Sequence, residues 1–70
     1  MYEKYVTLRD ENNMTDYKVS QITGIPKSTF SDWKSGKSKP KIPKIKKLAN
    51  LFDVSVDYLI DEGGEAKIGQ

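Results

Sequence analysis

The stretch TGIPKSTFSDWKSGKSKPK, residues 23–41, contains one helix-sized segment between two glycines, followed by a loop rich in lysine. If a helix runs from Pro26 to Ser35, then Phe30 and Trp33 lie three residues apart on the same side as the proline. Short polar and charged side chains occupy the opposite side. The pattern therefore predicts a helix that buries an aromatic side and presents a polar one.

A second helix and a short turn precede this segment. Thr15 is a good N-cap for a helix over Asp16–Thr23, in which Val19 and Ile22 form the apolar side. Gly24 follows at the position expected for a left-handed C-cap. Two helices joined by a three-residue glycine turn make a helix-turn-helix, the unit whose second helix enters the DNA major groove. Ordinary helical hairpins share such a turn, but the polar helix side and the trailing lysines together favour the DNA-binding unit.

The other segments predict three more short helices. The first covers Tyr2–Asn12, and the fifth runs from Val56 to about Asp61 behind a Ser55 cap. The fourth begins near Pro43 and carries the strongest apolar stripe of the chain, formed by Ile45, Leu48, Ala49 and Phe52. Since no segment alternates with the period of a strand, the predicted fold is all-α, a compact bundle of five helices. We expect one domain over residues 1–61 and a flexible tail or linker over 62–70.

Composition excludes several classes of chemistry. The 70 residues include no cysteine and no histidine, so neither a thiolate nor an imidazole is available for catalysis or metal binding. No apolar run approaches the roughly 18 residues of a membrane span, and the N-terminus lacks a signal core. The sequence therefore predicts a non-enzyme without catalytic residues, cofactor, metal or membrane contact, located in the bacterial cytoplasm or nucleoid.

The net charge of +2 conceals a strong asymmetry along the chain. Residues 27–47 contain eight lysines and one acid, whereas residues 53–65 contain five acids and no base. Such segregation favours a polyanion as the partner of the middle segment. The alternative is that the lysines are solvated and serve solubility alone.

The polar side of the third helix carries groups that suit base edges. Lysine donates to the O6 and N7 atoms of guanine, serine donates or accepts, and aspartate accepts from the N4 amine of cytosine. Lys27, Ser28 and Ser31 are the corresponding candidates, together with Asp32. For Asp32 three roles remain open: reading cytosine, pairing with Arg9, or orienting a neighbouring lysine.

From about Arg9 to Ile60 the chain resembles the helix-turn-helix domains of phage repressor and Cro proteins, also called Xre-like regulators. The resemblance rests on MT at residues 14–15, GIPKSTFSDWKSGKSKPK from Gly24 and IKKLANLFDVSVDYLI from Ile45. It implies a fold like that of lambda repressor, a five-helix domain that binds operator DNA, usually as a dimer, and represses or activates transcription.

The resemblance also implies roles for individual residues. Residues at the start of the recognition helix and one turn later read bases, which are Lys27, Ser28 and Asp32 here, with Ser31 beside them. The resemblance implies phosphate contacts at the start of the second helix, at Thr15 and Tyr17, and in the loop after the third, at Lys37 and Lys39. Thr29 and Ser31 flank the reading side and could contact either a base or a phosphate. We expect a further phosphate contact from Lys34, which adds to the basic surface.

Three positions depart from the family pattern. Asp16 stands where glutamine is common, and we expect it to serve only the helix dipole, because a carboxylate is repelled by phosphate. Lys34 replaces a glutamate that pairs with an arginine matching Arg9, so Arg9 needs another partner. Asp53 replaces a glycine in a turn that requires left-handed backbone, which aspartate tolerates better than most residues.

Apolar side chains near the C-terminal end exceed what a short helix can bury. Val56, Tyr58 and Ile60 are therefore weak candidates for a dimer contact, which the resemblance also implies. The alternative is that they simply close the core of a small domain.

Two functions follow as hypotheses. The first is a sequence-specific, double-stranded DNA-binding regulator, with repression the favoured mode, acting as a homodimer on a palindromic operator. The second is a protein-interaction or antitoxin-like adaptor that keeps the helix-turn-helix fold.

Overall fold

The computed structural model describes residues 1–60, and within that range all regular structure is helical. Five helices follow one another: α1 Tyr2–Glu11, α2 Asp16–Thr23, α3 Lys27–Ser35, α4 Ile42–Phe52 and α5 Val56–Ile60. This confirms the predicted all-α, five-helix fold. The predicted tail over 62–70 lies outside the described residues.

Side-chain caps begin two of the helices as the sequence predicts. Thr15 Oγ1 accepts a hydrogen bond from the backbone N–H of Lys18 at 3.1 Å, which satisfies one orphan donor of α2. Ser55 Oγ accepts from the N–H of Tyr58 at 3.0 Å at the start of α5. Pro26 is the N-cap of α3 rather than its first residue, with extended backbone at φ −60° and ψ 144°.

Left-handed backbone ends three helices and sets the chain reversals. Gly24 after α2 and Gly36 after α3 both have φ of +82°, a conformation that costs glycine little and other residues more. Asp53 after α4 has φ of 57° and ψ of 46°, which confirms that aspartate adopts the turn where glycine is usual. These turns bring α2, α3, α4 and α5 into one bundle.

The core is centred on aromatic rings and on the stripe of α4. Among residues 1–60, eleven hydrophobic side chains are buried: Tyr5, Leu8, Val19, Ile25, Phe30, Trp33, Ile45, Leu48, Ala49, Phe52 and Leu59. All four predicted stripe residues of α4 are among them. The inner side of α3 and the apolar side of α4 therefore share one core.

Two expectations about burial were wrong. Ile22 is 50% exposed, because it lines an open surface cleft with Lys47, Asn50 and Leu51 of α4 and does not enter the core as Val19 does. Pro26 is exposed as well, since its N-cap position places it ahead of the first turn of α3 and outside the aromatic side.

Candidate nucleic-acid interface

A rigid turn sets the angle between α2 and α3. Thr23 Oγ1 donates to the carbonyl of Val19 at 2.7 Å and accepts from the N–H of Ile25 at 3.2 Å. The side chain of Ile25, a residue of the turn itself, is buried in the core. Because Gly24 supplies the positive φ, the turn needs no other strained residue, and α2 and α3 pack directly on each other.

Aromatic packing fixes the rotation of α3 about its own axis. Phe30 stacks on Tyr5 of α1 with centroids 4.9 Å apart and ring planes 5° apart. Trp33, 6% exposed, meets Phe30 edge to face at 5.4 Å. With two adjacent rings held on one side, the opposite side of α3 must face solvent.

The outer side of α3 carries the residues that the sequence predicts as base contacts. Lys27, Ser28, Ser31 and Lys34 are exposed, and Thr29 and Asp32 are partly exposed. One helix side therefore presents lysine and serine donors, serine acceptors and one carboxylate. Side chains of this length can approach the edges of base pairs in the major groove.

The contacts of Arg9 exclude one of the three possible roles of Asp32, the ion pair between these two residues. The Arg9 guanidinium bonds Asp10 and Asp16, so it does not pair with Asp32. Within residues 1–60 the Asp32 carboxylate forms no ion pair with a lysine either. Its backbone carbonyl accepts from the N–H of Lys37 at 2.9 Å and helps to end the helix.

The first turn of α2 is held by a polar cluster that the sequence did not predict. Asp16 accepts hydrogen bonds from the hydroxyl of Tyr5 and, at 3.0 Å, from Arg9 Nη1. Asp16 therefore does more than serve the helix dipole, and Arg9 finds in it the partner that Lys34 cannot be. The cluster ties α1 to the start of α2, where phosphate contacts are expected.

This cluster perturbs two ionisable groups. Burial and the hydrogen bond to the Asp16 carboxylate raise the pKa of the Tyr5 phenol above its ordinary value of 10. Burial alone would lower the pKa of the Arg9 guanidinium, but its hydrogen bonds to Asp16 and Asp10 outweigh that effect and raise it. Tyr5 therefore stays neutral and Arg9 stays charged at physiological pH.

The lysine loop lies beside the outer side of α3. An open cleft is lined by Thr29 and Asp32 of α3 and by Lys39, Lys41 and Lys44 from the loop and α4. Lys37 follows Gly36 directly and is exposed. Positive charge therefore adjoins the C-terminal half of α3, while the start of α2 adjoins its N-terminal half.

Tyr17 and Lys27 bring the start of α2 close to the start of α3. Tyr17 is 58% exposed, and the Lys27 Nζ atom lies 5.9 Å from the centroid of its ring. Gln21 Nε2 donates to the Tyr17 hydroxyl at 2.9 Å. Gln21 is absent from the sequence prediction, although its spacing of four residues from Tyr17 could have indicated the contact.

The candidate dimer residues of α5 divide into two groups. Tyr58 and Ile60 are exposed, at 46% and 42%, whereas Val56 packs against the core. Lys4 Nζ donates to the carbonyl of Tyr58 at 2.9 Å and lies over its ring at 4.7 Å. Val56 thus helps to close the core, as the alternative interpretation expects. Tyr58 and Ile60 are the two candidates that stay exposed on α5.

Residues 1–60 contain neither a membrane-spanning helix nor a cluster of side chains suited to a metal ion. Their helices include none with the length and apolar character needed to cross a bilayer. Their carboxylates form no group of three or more that could hold a metal ion.

The sequence model of a family described as helix-turn-helix matches residues 7–59. The chain belongs to this family. The resemblance to phage repressor and Cro-type domains is thereby confirmed. The matched residues include all of α2, α3 and α4, and with them the turn and both sides of α3 described above.

Three curated relatives are named as regulators or activators of transcription. The chain is 36% identical over 53 residues to the uncharacterized HTH-type transcriptional regulator YobD of Bacillus subtilis, covering 76% of this chain and 47% of that protein. It is 31% identical over 58 residues to the regulator AnsR of the same organism, covering 83% and 50%. It is 29% identical over 58 residues to the transcriptional activator BcrR of Enterococcus faecalis, covering 83% and 28%. The chain thus spans half, or less, of the length of these relatives.

A solved structure supports the fold independently. The structure of a transcriptional regulator from Listeria innocua matches with a TM-score of 0.69 at 22% identity. The match covers 100% of this chain and 64% of the other. At this identity the likeness concerns the fold alone, and it supports the all-α architecture described above.

Proposed function

We propose that this protein is a sequence-specific regulator of transcription that reads the major groove of operator DNA with the outer side of α3. The observation that carries the proposal is the division of α3 into two sides. Its inner side is locked by Phe30 and Trp33, so Lys27, Ser28 and Ser31 are presented outward in a fixed register. Family membership and the names of the relatives support the same function.

The proposed contacts divide into base reading and phosphate binding. Base contacts are assigned to Lys27, Ser28, Ser31 and Asp32. Phosphate contacts are assigned to the start of α2, the flanks of α3 and the loop, at Thr15, Tyr17, Thr29, Lys34, Lys37 and Lys39. The first group should set sequence preference, and the second should set affinity for any duplex.

A homodimer on a palindromic operator is the proposed assembly. Two copies would place two α3 helices in successive major grooves, about 34 Å apart. The exposed Tyr58 and Ile60 of α5 are the proposed weak contact between copies. Repression is the proposed mode, because occupancy of a promoter blocks transcription without any additional surface, and the bacterial cytoplasm or nucleoid is the proposed location.

Selection from random duplex DNA at near-physiological salt tests this proposal. The expected result is a two-fold symmetric motif with fixed spacing between half-sites. Affinity for that motif should fall steeply with salt, because each neutralised phosphate releases counterions. Failure to enrich any sequence would contradict the proposal.

A second function is favoured by one observation, the exposure of the apolar Tyr58 and Ile60 side chains of α5, which fall within the acidic stretch of the sequence over residues 53–65. Such exposed side chains suit a protein partner, as in an antitoxin-like adaptor. Such an adaptor would bind duplexes weakly and without preference, and substitution of Tyr58 and Ile60 by serine would abolish partner binding while leaving DNA affinity unchanged.

A further inference from the structure

The start of α3 is contacted by an exposed aromatic residue that the core does not need. Tyr17 lies in the first turn of α2, is 58% exposed and belongs to no part of the buried core. Its ring centroid is 5.9 Å from the Nζ atom of Lys27, the first residue of α3. The ring thus meets the principal candidate for base reading from a different helix.

A second contact restrains this ring. Gln21, one turn further along α2, donates from Nε2 to the Tyr17 hydroxyl at 2.9 Å. A phenol that accepts this hydrogen bond keeps its own proton available for donation. Tyr17 can therefore donate to a DNA phosphate, as its position at the start of α2 requires, while its ring stays beside Lys27.

Lysine benefits from such restraint more than other base-reading residues. Its ammonium is a compact charge with three rotatable donors on a flexible stem, and it lacks the rigid fork of arginine. Free rotation of that stem must be lost when a single base is contacted. An aromatic face within about 6 Å attracts the ammonium and reduces this freedom before DNA binds.

We propose that Tyr17 is a positioning residue for Lys27, and that Gln21 holds Tyr17 in place for this role. The restrained ammonium donates to adjacent acceptors on one purine edge, for which the O6 and N7 atoms of guanine are the match. Preference for guanine at the base pair under the start of α3 therefore depends on α2 as well as on α3. This inference rests on the proposed function of the outer side of α3.

The test measures base preference for the wild type and four variants on the selected operator. Competition binding compares guanine with the other bases at the position where Lys27→Ala removes the preference. Because an exposed cation–π contact is weak, Tyr17→Leu should reduce the guanine preference by about two- to fivefold. Tyr17→Phe retains the ring but loses the hydroxyl that Gln21 restrains, so it should weaken all sequences alike and reduce the guanine preference less than Tyr17→Leu does. Ile22→Ala, an exposed apolar residue on the same helix, should change neither quantity.

A measurement on the free protein provides an independent readout. The ε-methylene protons of Lys27 should show an upfield ring-current shift in the NMR spectrum of the wild type. Tyr17→Leu should abolish the shift. Gln21→Ala and Tyr17→Phe, which both remove the hydrogen bond between Gln21 and the ring hydroxyl, should reduce it. The same spectra establish that each variant is folded.

The possible results separate this inference from the proposed function. If Lys27→Ala abolishes the guanine preference and Tyr17→Leu weakens all sequences alike, the inference is overturned and the proposed function stands. Absence of a ring-current shift in the wild type overturns it too. If the wild-type protein selects no sequence, the proposed function fails and this inference fails with it.

Discussion

On its inner side α3 places Phe30 and Trp33 in a cluster of aromatic rings, whereas on its outer side Lys27, Ser28 and Ser31 lie in solvent. The inner residues gain their energy from burial and ring contacts, which are already complete in the free protein. The outer residues have donors and acceptors with few protein partners. One helix therefore separates the energy that holds the fold from the groups left available for a ligand.

The largest effect is expected from breaking the inner side. Phe30→Ala removes a fully buried ring and should destabilise the protein by about 3–5 kcal/mol, a large share of the stability of a small domain. Urea unfolding followed by Trp33 fluorescence measures the change. Ser31→Ala, the adjacent residue on the outer side, should change stability by less than about 0.5 kcal/mol. Equal losses would contradict the division of α3.

The next effect concerns the cluster that anchors α2 to α1. Asp16→Asn weakens the hydrogen bonds from Tyr5 and Arg9 and should cost about 2 kcal/mol of stability. The matched change Asp10→Asn removes the other carboxylate that bonds Arg9. Because the Asp10 side chain is 62% exposed, its loss should cost at most about 0.5 kcal/mol. Thermal unfolding of both variants measures the two losses of stability. A larger loss for Asp10→Asn than for Asp16→Asn would exclude the anchoring role of Asp16.

Alkaline pH provides a titration of the same cluster. Tyr5→Phe should cost about 1.5 kcal/mol at neutral pH, through loss of the hydrogen bond to Asp16. Because the pKa of Tyr5 is raised in the folded state, its stabilising contribution is present below pH 10 and is lost as the pH rises above that value. The advantage of the wild type over Tyr5→Phe should therefore vanish near pH 11, as followed by urea unfolding at each pH. A constant advantage up to pH 11 would show that the phenol titrates equally in both states.

The smallest expected effect distinguishes a lysine that contacts a DNA phosphate from a lysine that only adds positive charge to the protein. Lys37→Ala should weaken binding to all duplexes alike and reduce the slope of log affinity against log salt by about 1. Lys46→Ala on α4 removes the same charge from a residue without a proposed DNA contact, and should leave the slope unchanged. Fluorescence anisotropy over a salt series measures both, and identical slopes for the two variants would rule out a specific contact by Lys37.

Local patterns in the sequence predict most of the fold. The Thr15 cap and the left-handed backbone of Gly24 and Asp53 follow from residues close in the chain, and the observed helix bounds lie within about one residue of the predicted ones. The buried stripe of α4 follows from periodicity. The burial of Ile22 was predicted wrongly, because periodicity specifies a side of the helix but not how wide the neighbouring core is.

The candidate site could be predicted only in part, because its contacts cross between helices. The outer side of α3 follows from the spacing of Phe30 and Trp33. The bond between Tyr5 and Asp16 depends on how α1 packs on α2, and the approach of Lys27 to Tyr17 depends on the angle of the turn. Spacing along the chain predicts neither the packing of α1 on α2 nor the angle of the turn.

The most direct test of the central claim compares wild type with Lys27→Ala on the selected operator and on its single-base-pair variants. If the outer side of α3 reads DNA, Lys27→Ala should lose discrimination at one base pair of each half-site, by about 1–3 kcal/mol, and keep it at the others. Unchanged discrimination at every position would contradict the assignment of α3 as the reading helix.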